Sequence, residues 1–210
     1  MRKTMNKFRE KNYLLYLTFF LILTISKKTI SQGKLAEIYS KFANIESVEA
    51  NFTETKKSKV FQTEQIQKGT VFSSRNGKLI WHVAEPVENM FIIDGNTVKI
   101  SYPDLNYEKY YDLRNAGVIS EVAKNIFAIV SISGYKIIEK NYESTIKGNW
   151  KNGWQITLIP KQKEVKKAIT KMTLNITEND FITSIEIFEG NGDITKIVFQ
   201  NIKLNPASKK

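Results

Sequence analysis

The sequence predicts a mainly β fold with helices, an α+β chain built on one antiparallel sheet, a sandwich or a barrel. Three observations point there. Strand-like apolar runs recur at intervals of about 8 to 12 residues, with turn residues between them. Two segments break that period and space their apolar residues as a helix does. The strands also carry large apolar neighbours on opposite faces: Val71 and Phe72, Ile80 and Trp81, Phe91 and Ile92, Ile187 and Phe188. A sheet apolar on both faces needs cover on both, from helices, a second layer or a ligand.

The first residues, MRKTMNKFREKN, are basic, and the apolar run Tyr13 to Ile25 and the small polar stretch SKKTISQG follow. That order is expected of a secretory signal peptide, and the run is short for a membrane span, which needs roughly 20 apolar residues. Residues 1–31 are therefore expected to be a signal peptide, cleaved near Ser31, and 32–210 a single domain. A retained anchor is the alternative, because Lys27 and Lys28 directly follow the apolar run.

In GKLAEIYSKF the residues Leu35, Ile38, Tyr39 and Phe42 share a helical face. From Val48 the pattern is strand-like. Leu79, Trp81 and Val83 alternate with Lys78, Ile80 and His82 until Pro86 ends the run. FIIDGNTVKISY reads as a hairpin, with Asp94-Gly95 supplying the turn and Val98, Ile100 and Tyr102 on one face. Between Tyr107 and Gly134 the period changes: Ile119, Val122, Ala123, Ile126, Phe127 and Val130 take helical spacing, with Glu121, Lys124 and Asn125 opposite. Strands resume at Trp154 to Pro160, Lys171 to Thr177, Ile182 to Glu189 and Ile194 to Leu204, the last two joined by the turn EGNGD.

Composition removes several function classes. Residues 1–32 hold seven of the 32 Lys/Arg and one of the 21 acids, so the remainder carries 25 basic and 20 acidic residues, a net of +5. That suits weak attraction to anionic membrane surfaces and falls short of the dense basic stripe of a nucleic-acid binder. With no cysteine there are no disulfides, no thiolate metal sites, no cysteine nucleophile and no lipid-modified cysteine, so an exported protein is expected to be soluble. His82 is the only histidine and falls in a strand. No G-x-S-x-G elbow is present. Asp94 and Asp104 fall where turn chemistry explains them, and GNGD is a fragment of a calcium loop without its other ligands. No enzyme, metal or cofactor is expected. Two helices covering one face of a two-faced sheet would, if they leave a gap, enclose an apolar pocket suited to acyl chains.

The succession GTVFSSRNGKLIWHVAEP, IIDGNTVKISYPDLN, WQITLIPK and ITSIEIFEGNGDITKIVFQNIKLN resembles the periplasmic lipoprotein carrier family, LolA, over about residues 35–205. In that family a strand beginning at glycine leads to an arginine, a tryptophan strand ends in proline, and an Asp-Gly hairpin precedes an aromatic-proline pair. Gly69, Arg75, Trp81, Pro86, Asp94, Gly95, Tyr102 and Pro103 occupy those places. EANFTET stands where the family has its F-x-Q segment, with Glu54 in place of glutamine, and Asn76-Gly77 follows Arg75 where proline is usual.

The resemblance implies an unclosed antiparallel β-barrel, roughly half a barrel, under a helical lid. Its cavity would take lipoprotein acyl chains from an inner-membrane ABC transporter in the periplasm and pass them to an outer-membrane acceptor, without nucleotide or cofactor and as a monomer. Arg75 would latch the lid through hydrogen bonds to backbone carbonyls. The cavity is expected to be lined by Phe52, Phe72, Leu79, Trp81, Met90, Ile92, Ile100 and Leu174, and the lid helix to present Ile119, Val122, Ile126 and Phe127. The sequence ends shortly after Asn205-Pro206, without the longer C-terminal strand of the best-known members. That leaves open an alternative cargo, a glycolipid or polyene lipid.

Overall fold

A computed structural model describes residues 33–60, 63–115, 118–131 and 134–206, without the side chains of 118–122. The expected signal peptide, and the side chains of Ile119 and Val122, lie outside the described residues. Helix α1 spans 33–40. Strands β1 (Ser47–Lys57), β2 (Glu64–Ser74), β3 (Leu79–Glu85), β4 (Asn89–Asp94), β5 (Thr97–Tyr102) and β6 (Tyr107–Asp112) follow. Helices α2 (Val118–Val130) and α3 (Tyr135–Asn141) come next. The chain then forms β7 (Tyr142–Asn149), β8 (Gly153–Pro160), α4 (Lys163–Ala168), β9 (Ile169–Thr177), β10 (Phe181–Glu189) and β11 (Ile194–Leu204).

All eleven strands join one antiparallel sheet in the order β6-β5-β4-β3-β2-β1-β11-β10-β9-β8-β7. Two meanders, β1 to β6 and β7 to β11, are thus sewn together by the pairing of β1 with β11. The sheet does not close: β6 and β7 are successive strands of the chain yet form its two free edges. The segment between them must cross the open side, and that segment is α2 and α3. Topology therefore makes these two helices the lid of a half-barrel.

Register fixes which side chains face the lid, because directly paired residues share a face. On β1 these are Val48, Ala50, Phe52 and Glu54; across on β2 they are Ser73, Val71, Gly69 and Gln67. Val71 pairs with Trp81, Trp81 with Phe91 and Phe91 with Ile100. In the other direction Phe52 pairs with Phe199, Glu54 with Ile197, Ile197 with Ile185, Ile185 with Leu174 and Leu174 with Ile156. Gly69 sits beside a register shift between β2 and β3, and a Cβ there would lie 1.9 Å from the carbonyl oxygen of His82. Only glycine lets the two strands come this close.

Helix α1 buries the face that its spacing marks out, Leu35, Ile38 and Tyr39, and Phe42 in the turn that follows it is buried as well. They close one end of the sheet. Tyr39 meets Phe181 edge-on at 5.5 Å and Tyr135 of α3 at 5.8 Å, and Phe42 lies 4.8 Å from Phe181 and 6.2 Å from Trp150. Phe181 is buried at φ +62°, a conformation that bulky residues avoid, and the rings of Tyr39 and Phe42 pack against it there.

Candidate functional site

Under α2 lies an apolar cavity of about 290 Å³. Its floor is Glu54 of β1, Trp81 of β3, Phe91 of β4, Ile185 and Ile187 of β10, and Thr195 and Ile197 of β11; its roof is Ile126, Ile129 and Val130. Trp81 is held by aromatic neighbours, with Phe52 at 4.5 Å and Phe199 edge-on at 6.2 Å. A narrower crevice runs on from Val130 past Ala50, Val71, Phe181, Ile182 and Phe199. The lid helix thus rests on an underfilled apolar channel.

Of the residues expected to line the cavity, Trp81 does so, and Phe52, Leu79, Ile100 and Leu174 are on the same face of the sheet. Phe72, Met90 and Ile92 are not: Phe72 pairs with Ile80, Met90 with His82 and Ile92 with Lys99, all on the opposite, convex face. Both faces carry large apolar residues, so size alone misleads there. Their neighbours Val71, Phe91 and Ile93 take the lid face instead, and of these Phe91 lines the cavity and Val71 the crevice beside it. The hairpin could have revealed two of them, because a two-residue turn pairs Asp94 with Thr97 and so puts Ile93 against Val98 and Phe91 against Ile100.

On α2, Ile126 lines the cavity and Phe127 is half-buried against the core, while Ile129, which the spacing argument passed over, also lines it. The expectation that α1 covers the cavity is corrected: no α1 residue lines it, and α1 packs instead at the Phe181 end. The structure adds β7 and the short helices α3 and α4, which apolar periodicity does not predict, and it separates β6 from the helical segment that follows. YEKYYD and YESTIKGN are polar edge strands with little period-2 contrast.

Arg75 stands in the β2–β3 turn, directly after the last residue of β2, and Gly77, at φ +97°, completes that turn. Its guanidinium donates to the carbonyl of Ile45 from Nε at 3.2 Å and from Nη2 at 2.8 Å, and Nη2 also donates to Phe42 at 3.1 Å and Ala43 at 2.8 Å. These carbonyls belong to the link between α1 and β1. The main chain adds a bond from the Arg75 amide to Glu46 at 2.8 Å. Asn205 grips the same link from the other side, its Oδ1 accepting from the Glu46 amide at 2.6 Å. Arg75 thus ties α1 to the sheet, and the groove beside it is lined by Tyr39 of α1 and by Tyr135 and Lys136 of α3.

His82 points to the convex face, where Nε2 lies 2.9 Å from Glu88 Oε1. Asp193 belongs to the β10–β11 link: its Oδ1 accepts from the Lys59 amide at 2.9 Å, and Lys59 and Asn191 hold its carboxyl below the usual range. Among the described residues no group of three or more His, Asp or Glu is placed to hold a metal.

The family model described as "Outer membrane lipoprotein carrier protein LolA" matches residues 43–210. The outer-membrane lipoprotein carrier protein of Dechloromonas aromatica (strain RCB) is 26% identical over 175 residues, which is 83% of this chain and 79% of the relative. That of Hahella chejuensis (strain KCTC 2396) is 26% identical over 162 residues, 77% of this chain and 74% of the relative. A LolA superfamily protein from Nitrosomonas europaea, known from its crystal structure, superposes with a TM-score of 0.41 at 12% identity, covering 82% of this chain and 94% of that one. With most of its length matched by that model, the chain belongs to the LolA family of outer membrane lipoprotein carrier proteins.

Proposed function

We propose that this chain is a non-enzymatic periplasmic carrier. It shelters the acyl chains of lipoproteins in the cavity under α2, receives them from an inner-membrane ABC transporter and releases them towards an outer-membrane acceptor. The observation that supports this best is the cavity itself, walled by eight apolar residues beneath a helix that topology forces across the sheet.

Magnitudes fit a carrier better than a permanent store. At about 30 Å³ for a water-sized group, 290 Å³ holds on the order of ten methylenes. At about 0.8 kcal/mol each, their transfer from water yields roughly 8 kcal/mol, against an association cost of about 4 kcal/mol or more. Cargo held with so small a surplus can be given up to a deeper apolar site. Two or three acyl chains exceed the closed volume, so loading requires α2 to move outward. Arg75 then acts as a latch by holding α1, whose Tyr39 packs on Tyr135 of the lid segment.

The test is mass spectrometry of whatever co-purifies with the protein from its native envelope. An acylated peptide is expected. A free glycolipid or polyene in its place would favour the alternative cargo, and a protein that neither co-purifies with nor takes up any acyl chain would refute the reading.

A further inference from the structure

The cavity has one charged wall residue, Glu54, among Trp81, Phe91, Ile185 and Ile197. Among the described residues no hydrogen bond or ion pair satisfies its carboxylate. The nearest ammonium, Lys56, is engaged elsewhere: it donates to Glu189 at 2.8 and 2.9 Å and lies 3.6 Å from Asp193. Glu189 also accepts from the Thr195 hydroxyl at 2.9 Å. The charged groups acting on Glu54 are therefore Lys56 and Glu189, one ammonium already committed to a carboxylate and that carboxylate itself. Burial pushes the Glu54 carboxyl up, Lys56 pulls it back and Glu189 adds to the rise. A charge held in an apolar wall without a partner costs free energy until a ligand supplies the opposite charge.

We propose that Glu54 gives the cavity a headgroup preference: it takes the protonated amine of an acyl-bearing ligand, whose chain lies along Trp81 and Ile187 beneath Ile126 and Ile129. This rests on the acyl-carrier reading and narrows its ligand class to chains that begin beside a primary amine. Two sources share that chemistry, a lipoprotein whose lipidated N-terminal cysteine keeps a free α-amine and a free aminolipid.

The experiment is calorimetric titration of residues 32–210 at neutral pH with dodecylammonium and dodecanol, in wild type and Glu54→Gln. Wild type should prefer the ammonium at least tenfold, a ratio set by one charge-assisted pair, and Glu54→Gln should bind both within about threefold. In wild type alone the preference should fade as pH drops below the Glu54 titration, where the carboxyl is neutral and the amine still charged. Equal affinities in wild type, a preference that survives in Glu54→Gln, or one unchanged down to about pH 3.5 would each overturn the proposal. A diacylglyceryl-cysteine peptide with a free α-amine, compared with its N-acylated form, distinguishes the sources: discrimination here supports a lipoprotein cargo, and discrimination only among single-chain amines supports an aminolipid. Failure to bind even dodecanol would bring down the carrier reading, and this inference with it.

Discussion

Replacing Arg75 with leucine keeps much of its packing volume and removes every donor. The guanidinium makes four hydrogen bonds to three carbonyls, those of Phe42, Ala43 and Ile45. A bond to a charged group contributes about 1.5 to 3 kcal/mol. The side chain is 33% exposed, so water takes over part of each lost bond. The set should therefore cost about 2 to 3 kcal/mol in all, which makes opening of the α1–β1 link about 30- to 150-fold more frequent. Hydrogen exchange should report this at Phe42, Ala43, Ile45 and Glu46, whose amides are bonded to Tyr39, Ser40, Phe42 and Asn205. Arg75→Lys should restore only part of the protection, because an ammonium lacks the guanidinium fork that spans three carbonyls. Exchange in 33–47 within threefold of wild type would show that Arg75 holds nothing. Faster exchange there with unchanged acyl-chain release would separate the bond from the latch.

Three further outcomes follow from particular contacts. The folded state raises the Glu54 carboxyl above its usual 4.5, so its ionised form lowers stability at neutral pH, and that cost fades as pH falls through the folded-state titration. Glu54→Gln should therefore unfold at higher urea concentration than wild type at pH 7, an advantage that vanishes below about pH 4.5. Gly69→Ala places a methyl against the His82 carbonyl and should cost about 1 to 3 kcal/mol or more, read as a lower urea midpoint. The Tyr39 hydroxyl is fully buried without a hydrogen-bond partner, and burial pushes its pKa far up. Tyr39→Phe should consequently leave stability unchanged or raise it by about 1 kcal/mol, seen as a rise of a few degrees in melting temperature.

Much of the scaffold is legible in the sequence because it depends on local periodicity. Leu35, Ile38 and Tyr39 mark α1, and β8 to β11 stand out by alternation and by their turns. The cavity wall is legible only in part. On β3 the alternation separates Trp81 from His82, since one face is apolar and the other polar at that point. On β2 and β4 both faces are apolar, and Phe72, Met90 and Ile92 compete with Val71, Phe91 and Ile93 on equal terms. Only the pairing register breaks that tie.

The amino-acid order by itself determined a mainly antiparallel β chain, an amphipathic lid helix and an arginine in the turn after a strand, because each rests on contacts within a dozen residues. The tertiary structure alone decided three things. It set β6 and β7 at opposite edges, so that α2 has to span the mouth of the sheet. It brought the Arg75 fork to carbonyls about thirty residues away. It turned Glu54 into an apolar cavity whose other walls come from β3, β4, β10, β11 and α2. These depend on strand pairings between distant parts of the chain, whose energies arise only once loop closure has been met, and no local pattern encodes them.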